Sequence, residues 1–326
     1  MSSLSTLKPY FLKATEEAAI ASALWRGKGD RKAADAAAVK AMRQVFDDVP
    51  FDGKVAIGEG ERDEAPMLYI GEPLGNAINN PDVPKVDIAV DPLECTNHCA
   101  LDKPNAIAVL AAAPRGTLLN APDCYMDKIA GPPELVGEIS LEASIEANVE
   151  SAAKALDKKI EDMTITFMDR SRHDDLRKRL KSMNVNLAPI GDGDVSASIF
   201  AANSKHPVDM LMGIGAAPEG VISAVAILGM GGVFEGQLKF QVSSDVDMKI
   251  QNEQYERARN MVSGDLDKIR TASELCTSRD SLFVATGVCS GYLPGVIFNN
   301  KSIITESHII DVHSGQQEYP KTVRKL

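Results

Sequence analysis

Two kinds of hydrophobic spacing follow one another along this chain of 326 residues. In the first part, alanine-rich stretches with apolar residues three and four positions apart predict helices over 15–25 and 33–45. Continuous apolar runs predict strands over 54–57, 86–90 and 106–112. We therefore expect a mixed sheet with helices packed on it in the N-terminal part.

From residue 164 onward, strand and helix patterns alternate, which is typical of βαβ units. The predicted strands are 164–168, 185–190 and 208–214, and the predicted helices are 174–181, 195–202 and 221–228. A helix over 144–156 separates the two patterns, so the sequence predicts an N-terminal domain of residues 1–155 and a C-terminal α/β domain of residues 156–326. The last stretch, 315–326, is polar, and we expect it to fray.

Composition and charge narrow the class of function. The formal net charge of -11 argues against nucleic acid or an anionic membrane surface as a partner. The five cysteines are odd in number and show no paired spacing, which favours a reducing compartment, so we expect a cytoplasmic protein. We find no signal-peptide pattern and no apolar run of the roughly 18 residues that a membrane helix needs.

Acidic residues at predicted element ends are the strongest chemical signal. They are Asp35, the acidic loop that contains Glu59, Glu61, Asp63 and Glu64, the pair Asp91 and Glu94, and Glu219. Buried carboxylates need a partner, and a bound cation is the natural one. Oxygen ligands gathered from distant parts of a chain suit Mg²⁺ or Mn²⁺, ions that commonly act on phosphate esters.

Each of these segments also has a plain structural interpretation. Asp35 alone is typical of a helix-capping residue, the acidic loop of a solvated turn, and Asp91-Pro92 of a proline-containing turn with capping residues. Glu219, at a predicted helix start, is weak evidence by itself. Cys95, His98 and Cys99 lack a fourth ligand of suitable spacing for a zinc site.

Basic and acidic residues follow two neighbouring predicted strands. Arg170, Arg172 and His173 come after the strand that ends at residue 168, and Asp192 and Asp194 come after the strand that ends at residue 190. Guanidinium groups can hold a distal phosphate in a bidentate manner, and carboxylates can bind sugar hydroxyls. These strand ends therefore indicate a binding site for a phosphorylated sugar.

These residues stand in seven separated blocks whose order resembles that of class II fructose-1,6-bisphosphatases, the GlpX-like branch of the lithium-sensitive sugar and inositol phosphatases. The resemblance extends from about residue 15 to about residue 306. The blocks are Gly29-Asp30 with Ala34-Asp35; Ile57-Gly58-Glu59-Gly60-Glu61 with 63–72; 87–94; Asn120-Ala121-Pro122-Asp123 with Tyr125-Met126; Arg172-His173; Asp192-Gly193-Asp194-Val195; and Gly213-Ile214-Gly215 with Ala217-Pro218-Glu219-Gly220-Val221.

The resemblance implies roles for individual residues. The implied metal ligands are Asp35, Glu59, Asp91, Glu94 and Glu219, and Asp63 and Thr96 would prepare the attacking water. The implied substrate contacts are Glu94, Cys95, Thr96, Tyr125, Arg170, Ser171, Arg172, Asp192, Gly193, Asp194 and Ala216.

The resemblance also implies a fold and an assembly. We expect the layered α-β-α-β-α sandwich of the sugar phosphatases, assembled as a homodimer or homotetramer. Three positions depart from the family pattern, because Cys95 and Ala216 stand where glycine is usual or frequent and Ser171 where proline is usual. The end from His308 onward fits the family poorly.

The sequence therefore predicts a Mg²⁺- or Mn²⁺-dependent enzyme that removes the 1-phosphate of fructose 1,6-bisphosphate by direct attack of water, in gluconeogenesis or carbon fixation. Two alternatives stay open. One is a phosphatase of the same fold that acts on sedoheptulose 1,7-bisphosphate or an inositol monophosphate. The other is a catalytically weak phosphosugar-binding protein, which the side chain of Cys95 suggests because it can crowd the scissile phosphate.

Overall fold

The computed structural model of the protein describes residues 4–58, 67–240, 248–262 and 264–326. Its helices are α1 (Lys8–Ala23), α2 (Arg31–Phe46), α3 (Thr96–Ala100), α4 (Ile145–Ala155), α5 (Asp174–Ser182), α6 (Asp194–Ala201), α7 (Ala217–Met230), α8 (Met248–Met261) and α9 (Ala272–Leu275). Its strands are β1 (Asp52–Ile57), β2 (Pro73–Leu74), β3 (Lys85–Glu94), β4 (Ile107–Pro114), β5 (Tyr125–Gly131), β6 (Thr164–Met168), β7 (Asn186–Ile190), β8 (Met210–Ala216), β9 (Val233–Lys239), β10 (Arg270–Thr271), β11 (Leu282–Gly287), β12 (Ile297–Asn299), β13 (Ser302–Asp311), β14 (Gln316–Glu318) and β15 (Lys321–Lys325).

The chain forms two compact units, and the first contains both chain ends, residues 1–118 and 278–326. Its described part is built on one sheet with the strand order β12-β13-β11-β4-β3-β1-β2, while β14 and β15 also pair with β13. β1 and β3 are parallel, and the other pairs are antiparallel. The sheet of this unit is therefore mixed, as expected for the N-terminal part.

Helices α1 and α2 cover this sheet with their apolar faces. In α1, Phe11, Ala14 and Ala18 recur at helical spacing and are all buried. The ring of Phe51, just before β1, lies 6.0 Å from that of Phe11 and 6.2 Å from that of Phe46 in α2. These aromatic contacts fix both helices against the sheet.

The second unit comprises residues 119–277, and the strand order of its described sheet is β10-β9-β5-β8-β6-β7. β6 is parallel to β7 and to β8, with α5 and α6 as the connecting helices, so the predicted βαβ units are confirmed. β5 lies between β8 and β9 and is antiparallel to both. The mixed α/β class is thus confirmed in both units.

The division into units differs from the expected boundary between residues 155 and 156, which falls inside the second unit. The physical reason is strand pairing across a long sequence distance. β4 pairs with β3 on one side and with β11 on the other, so the C-terminal segment completes the first sheet. Local hydrophobic patterns do not carry that information.

Two further predictions along the chain were wrong. α1 begins at Lys8 and not near residue 15. Pro9 lies in its first turn, where proline is compatible with a helix. The polar end at 315–326 does not fray, since β14 and β15 both pair with β13 and Arg324 forms a bidentate ion pair with Glu17 of α1. Within the described ranges, no helix is long and apolar enough to cross a membrane.

A buried histidine joins parts of this C-terminal segment of the first unit to one another. Nδ1 of His308 in β13 accepts a hydrogen bond from the hydroxyl of Tyr292, and its Nε2–H donates to Oε1 of Gln317 at 3.0 Å. Its ring stacks on Tyr319 with 4.3 Å between ring centroids. Burial lowers the pKa of His308 to about 4.

We predict that His308 makes the protein less stable as the pH falls. Because the unfolded chain binds the proton near pH 6.5 and the folded chain only near pH 4, folding stability is complete above pH 6.5 and is lost between these values, by on the order of 3 kcal/mol. His308→Gln, which cannot titrate, should flatten the fall of the thermal midpoint between pH 7.5 and pH 4.5. The exposed His313→Gln is the matched control. Equal slopes for wild type and His308→Gln would contradict the assignment.

Candidate functional site

The residues predicted to form the site fall in both units, and each set is described by itself. The first unit contains Asp35, Asp91, Glu94, Cys95 and Thr96, while the second contains Tyr125, Arg170, Ser171, Arg172, Asp192, Gly193, Asp194, Ala216 and Glu219. Glu59 and Asp63 lie in the segment 59–66, outside the described residues.

A β-bulge places Asp91 and Glu94 on one face of the first sheet. The predicted turn after residue 90 is instead a continuation of β3. Asp91 lies opposite Val109 and Glu94 opposite Ile107, with a register shift between them. Two residues that are two positions apart on β4 share a face, so the extra residue in β3 brings carboxylates three positions apart to the same side.

Asp91 is close to the end of β1, after which the acidic loop follows in the sequence. β1 ends at Ile57, which pairs with Ala89, two residues before Asp91. Glu94 is buried, and Oδ1 of Asp91 accepts a hydrogen bond from the backbone N–H of Leu93 at 3.1 Å. The sequence prediction of carboxylates at this strand end therefore has a geometric basis.

Asp35 lies on α2, a helix that packs against β3 and α3. It is half-buried and precedes the buried residues Val39 and Met42 by four and seven positions, so it occupies the edge of the inward face as predicted. Asp30, not Asp35, is the N-cap, since its side chain accepts from the N–H of Ala33 at 3.0 Å. Asp35 is therefore not the cap of α2, while the alternative of a hydrogen-bonded aspartate near a helix start stays open.

Cys95 has a left-handed backbone, with φ 71° and ψ 52°, between β3 and α3. That conformation is unfavourable for a residue with a Cβ, which accounts for the glycine expected there. Its thiol donates to Oε2 of Glu94 at 2.7 Å, so the additional side chain occupies an oxygen of a predicted metal ligand. Thr96, the first residue of α3, is half-buried.

Glu219 lies in the first turn of α7, in the second unit. As a residue it is partly exposed, yet its Oε2 is sealed from solvent and has no hydrogen-bond partner. Burial raises the pKa of Glu219 to about 7, and the negative charges of Asp194 and Asp123 act in the same direction while Lys128 opposes them. A buried carboxylate oxygen without a donor is suited to bind a cation.

Lys128 in β5 is fully buried and forms an ion pair with Asp194, the first residue of α6. Gly215 makes this contact possible, because a Cβ at that position would lie 1.9 Å from Oδ2 of Asp194. The residue before α6, Gly193, has φ 93°, a conformation that glycine adopts without strain. Asp192, in the same loop, is half-buried.

Arg172 and Tyr125 lie together at the end of β8. The guanidinium of Arg172 donates from Nε and Nη2 to the carbonyl of Ile214, at 2.9 Å and 2.8 Å. The Cζ atom of Arg172 lies 5.0 Å from the ring centroid of Tyr125. Tyr125 pairs with Ala216 across the ladder. Three of the predicted substrate contacts are therefore adjacent in the second unit.

His173 supports this arrangement through hydrogen bonds of both its ring nitrogens. Its Nε2 accepts from the N–H of Ile214 at 2.7 Å, and its Nδ1–H donates to the carbonyl of Met168 at 2.7 Å. Burial lowers the pKa of His173, which favours this neutral form. Gly213 makes room for the ring, since a Cβ there would lie 2.7 Å from Nε2. Each glycine of the Gly213-Ile214-Gly215 motif thus accommodates a polar side chain.

The three departures from the family pattern differ in their structural effect. Ala216 has φ -77° and ψ 150°, which any residue adopts, so the loss of glycine there causes no strain. Ser171 is exposed in the short 3₁₀ turn Ser171–His173, next to Arg170, whose Nη1 donates to the carbonyl of Asp169. Only Cys95 changes the backbone energetics and the contacts of a predicted ligand.

The sequence analysis missed Lys128, because the strand Tyr125–Gly131 was not predicted. A lysine between Met126 and Ile129 in a short apolar run was the available signal, since a charge in a central strand requires a buried partner. The part of the chain that the structure describes contains no group of three acidic, histidine or cysteine side chains near enough to share an ion. The acidic loop with Glu59 and Asp63 lies outside these described residues.

Comparisons with known proteins agree with the resemblance. A family model described as bacterial fructose-1,6-bisphosphatase, glpX-encoded, matches residues 5–324, so the expectation that the end from His308 onward fits poorly is wrong. A D-fructose 1,6-bisphosphatase class 2/sedoheptulose 1,7-bisphosphatase of Prochlorococcus marinus (strain MIT 9312) is 43% identical over 327 aligned residues, which cover 98% of this chain and 96% of that protein.

Two further relatives with such names are similar to the chain over most of its length. The protein of Acaryochloris marina is 42% identical over 96% of this chain and 93% of its own length, and that of Thermosynechococcus vestitus is 40% identical over 96% and 94%. The chain therefore belongs to the family of glpX-encoded bacterial fructose-1,6-bisphosphatases, which are metal-dependent phosphatases.

Proposed function

We propose that this protein hydrolyses the 1-phosphate of fructose 1,6-bisphosphate to give fructose 6-phosphate and inorganic phosphate, with Mg²⁺ or Mn²⁺ as the cofactor. The main support from the structure is Oε2 of Glu219, a sealed carboxylate oxygen without a hydrogen-bond partner at a position that the family resemblance assigns to a metal ligand. The reaction serves gluconeogenesis or carbon fixation.

The proposed metal ligands are Asp35, Glu59, Asp91, Glu94 and Glu219. They provide only carboxylate oxygens, the donors that Mg²⁺ and Mn²⁺ prefer, and the bulge in β3 supports the pairing of Asp91 with Glu94. A divalent cation bound there would supply positive charge at the phosphate oxygens and acidify a nearby water. The side chains of the protein would hold the water, accept its proton and bind the rest of the substrate.

We assign the handling of the water to Asp63 and Thr96. The hydroxyl of Thr96, at the start of α3, can hold the water, and the carboxylate of Asp63 can accept its proton. Arg172, with Arg170 and Ser171 on the same turn, would bind the 6-phosphate. Its Nε and Nη2 are engaged by Ile214, which orients the guanidinium and leaves Nη1 for the phosphate.

The remaining proposed contacts bind the sugar and orient it. Tyr125 and Ala216 lie side by side across the β5–β8 ladder, and Asp192, Gly193 and Asp194 form the turn before α6. Carboxylates here can accept hydrogen bonds from sugar hydroxyls. Holding both ends of the substrate would place the 1-phosphate at the metal, which is the positional contribution to catalysis.

Sedoheptulose 1,7-bisphosphate is a second candidate substrate. The three relatives described above carry names that join both bisphosphatase activities. Arg172 favours any substrate with a second phosphate and gives no reason to prefer an inositol monophosphate. The cytoplasmic location and the assembly as a homodimer or homotetramer stay predictions from the sequence.

The first test is phosphate release from fructose 1,6-bisphosphate by protein stripped with a chelator. We expect turnover only after Mg²⁺ or Mn²⁺ is restored. Glu219→Gln should lower turnover by at least about a hundredfold while the thermal midpoint of the metal-free protein stays equal or rises, because an amide costs less to bury than a carboxylate. No release with either metal would contradict the proposal, and tight substrate binding without turnover would support the phosphosugar-binding alternative.

The second test concerns Cys95. Cys95→Gly and Cys95→Ala both remove the thiol from Glu94, but only glycine relieves the left-handed backbone, so the glycine variant should be more stable than the alanine variant by about 1 kcal/mol. Turnover of Cys95→Gly should equal or exceed that of the wild type, as measured by phosphate release. A marked loss would refute the idea that this side chain crowds the phosphate.

The third test asks whether substrate binding needs the guanidinium group of Arg172 or only a positive charge at that position. Arg172→Lys keeps the charge but not the planar fork, so KM for fructose 1,6-bisphosphate should rise about tenfold or more. The same loss is expected with sedoheptulose 1,7-bisphosphate, since both substrates carry a distal phosphate. Arg179→Lys, whose guanidinium pairs with Glu146 at the surface, is the control. An unchanged KM in Arg172→Lys would remove Arg172 from the binding site.

A further inference from the structure

Lys128 is a lysine in the middle of a sheet with only 1% of its surface exposed. Its neighbours across the ladder are both glycines, Gly213 in β8 and Gly236 in β9. A Cβ at Gly220 in α7 would lie 3.2 Å from its Cε, so that helix also approaches the side chain closely. Lys128 therefore has glycine on both sides in the sheet and a third glycine facing its stem.

The ammonium group of Lys128 is directed to a carboxylate at the start of α6. Nζ donates a hydrogen bond to Oδ2 of Asp194, and the residue Asp194 is only 7% exposed. Gly215 confines the contact, because a Cβ there would meet both Oδ2 of Asp194 and Nζ of Lys128, at 1.9 Å and 2.9 Å. The carboxylate of Asp194 is thus held by the ammonium of Lys128 in a closely packed space.

Lys128 lies among acidic groups. Asp194, Glu219 and Asp123 interact in this cluster, and Lys128 is the cation that interacts with Glu219. Arg172 also interacts electrostatically with Asp194. Oε2 of Glu219 is buried and has no hydrogen-bond donor.

We propose that Lys128 is a positioning residue for the reaction: its ammonium holds the Asp194 carboxylate in the orientation that binds the sugar of the substrate, and it supplies the internal counter-charge beside Glu219. This inference rests on the proposed function. The mechanism is geometric, because a carboxylate fixed through Oδ2 presents its remaining lone pairs in one direction.

The inference predicts that Lys128 acts through Asp194. Lys128→Met preserves the length and removes the charge, so KM for fructose 1,6-bisphosphate should rise at least about tenfold, with kcat changed less. In a double-mutant cycle, Lys128→Met should have no further effect on KM once Asp194→Asn is present. The same pattern is expected for the dissociation constant of fructose 6-phosphate, measured by calorimetry with metal-free protein.

A matched control is available in the same unit. Lys158 pairs with the buried Asp209, next to the beginning of β8 and at the opposite end of that strand from Ala216. Lys158→Met should lower the thermal midpoint and leave KM and the product affinity within about twofold of wild type. The comparison separates the loss of a lysine that pairs with a buried aspartate from the loss of positioning.

Three outcomes would overturn the inference. Lys128→Met with a lowered thermal midpoint but unchanged KM and product affinity would make Lys128 purely structural, as would additive effects in the cycle. If Lys128→Met does not fold, the double variant with Asp194→Asn has a neutral pair, and a KM above that of Asp194→Asn alone would also refute it. Failure of the proposed function would appear in the wild type, as no phosphate release with Mg²⁺ or Mn²⁺, and would overturn both.

Discussion

The ion pair between Lys128 and Asp194 is the interaction around which the second unit is organised. A buried ammonium and a buried carboxylate are each costly alone, so the structure must bring them together and keep them together. That requirement accounts for Gly215, which leaves room for Asp194, and for the left-handed Gly193 that starts α6 at the right point. Glu219, beside this pair, keeps a buried carboxylate oxygen without a hydrogen-bond donor, which supports its proposed role as a metal ligand.

The carboxylates of the first unit are arranged by its backbone. A bulge in β3 turns Asp91 and Glu94 to one face, the backbone N–H of Leu93 donates to Asp91, and the thiol of Cys95 donates to Glu94. Both of these donors are neutral. The bulge in one unit and the buried Lys128 in the other are the local features that support the proposed metal and substrate contacts.

The sequence predicted which elements and residue types occur better than it predicted their geometry. The periodicity of the second unit predicted its βαβ elements closely because β6, β7 and β8 are parallel and joined by regular helices. It did not predict the bulge between Asp91 and Glu94, since a bulge depends on the pairing with β4 and not on local propensity. Lys128 was missed for a related reason, because its meaning depends on Asp194, 66 residues later in the chain. The family resemblance, by contrast, identified Glu219, for which the local pattern was weak.

The placement of residues 119–277 between two segments of the first unit has a consequence for biosynthesis. The second unit is continuous, so its sheet can be completed while the ribosome is still translating the rest. β4, however, has one edge without its partner until β11 is made, and an unpaired apolar strand is prone to aggregate. The nascent chain therefore carries an open sheet edge through the synthesis of more than a hundred residues.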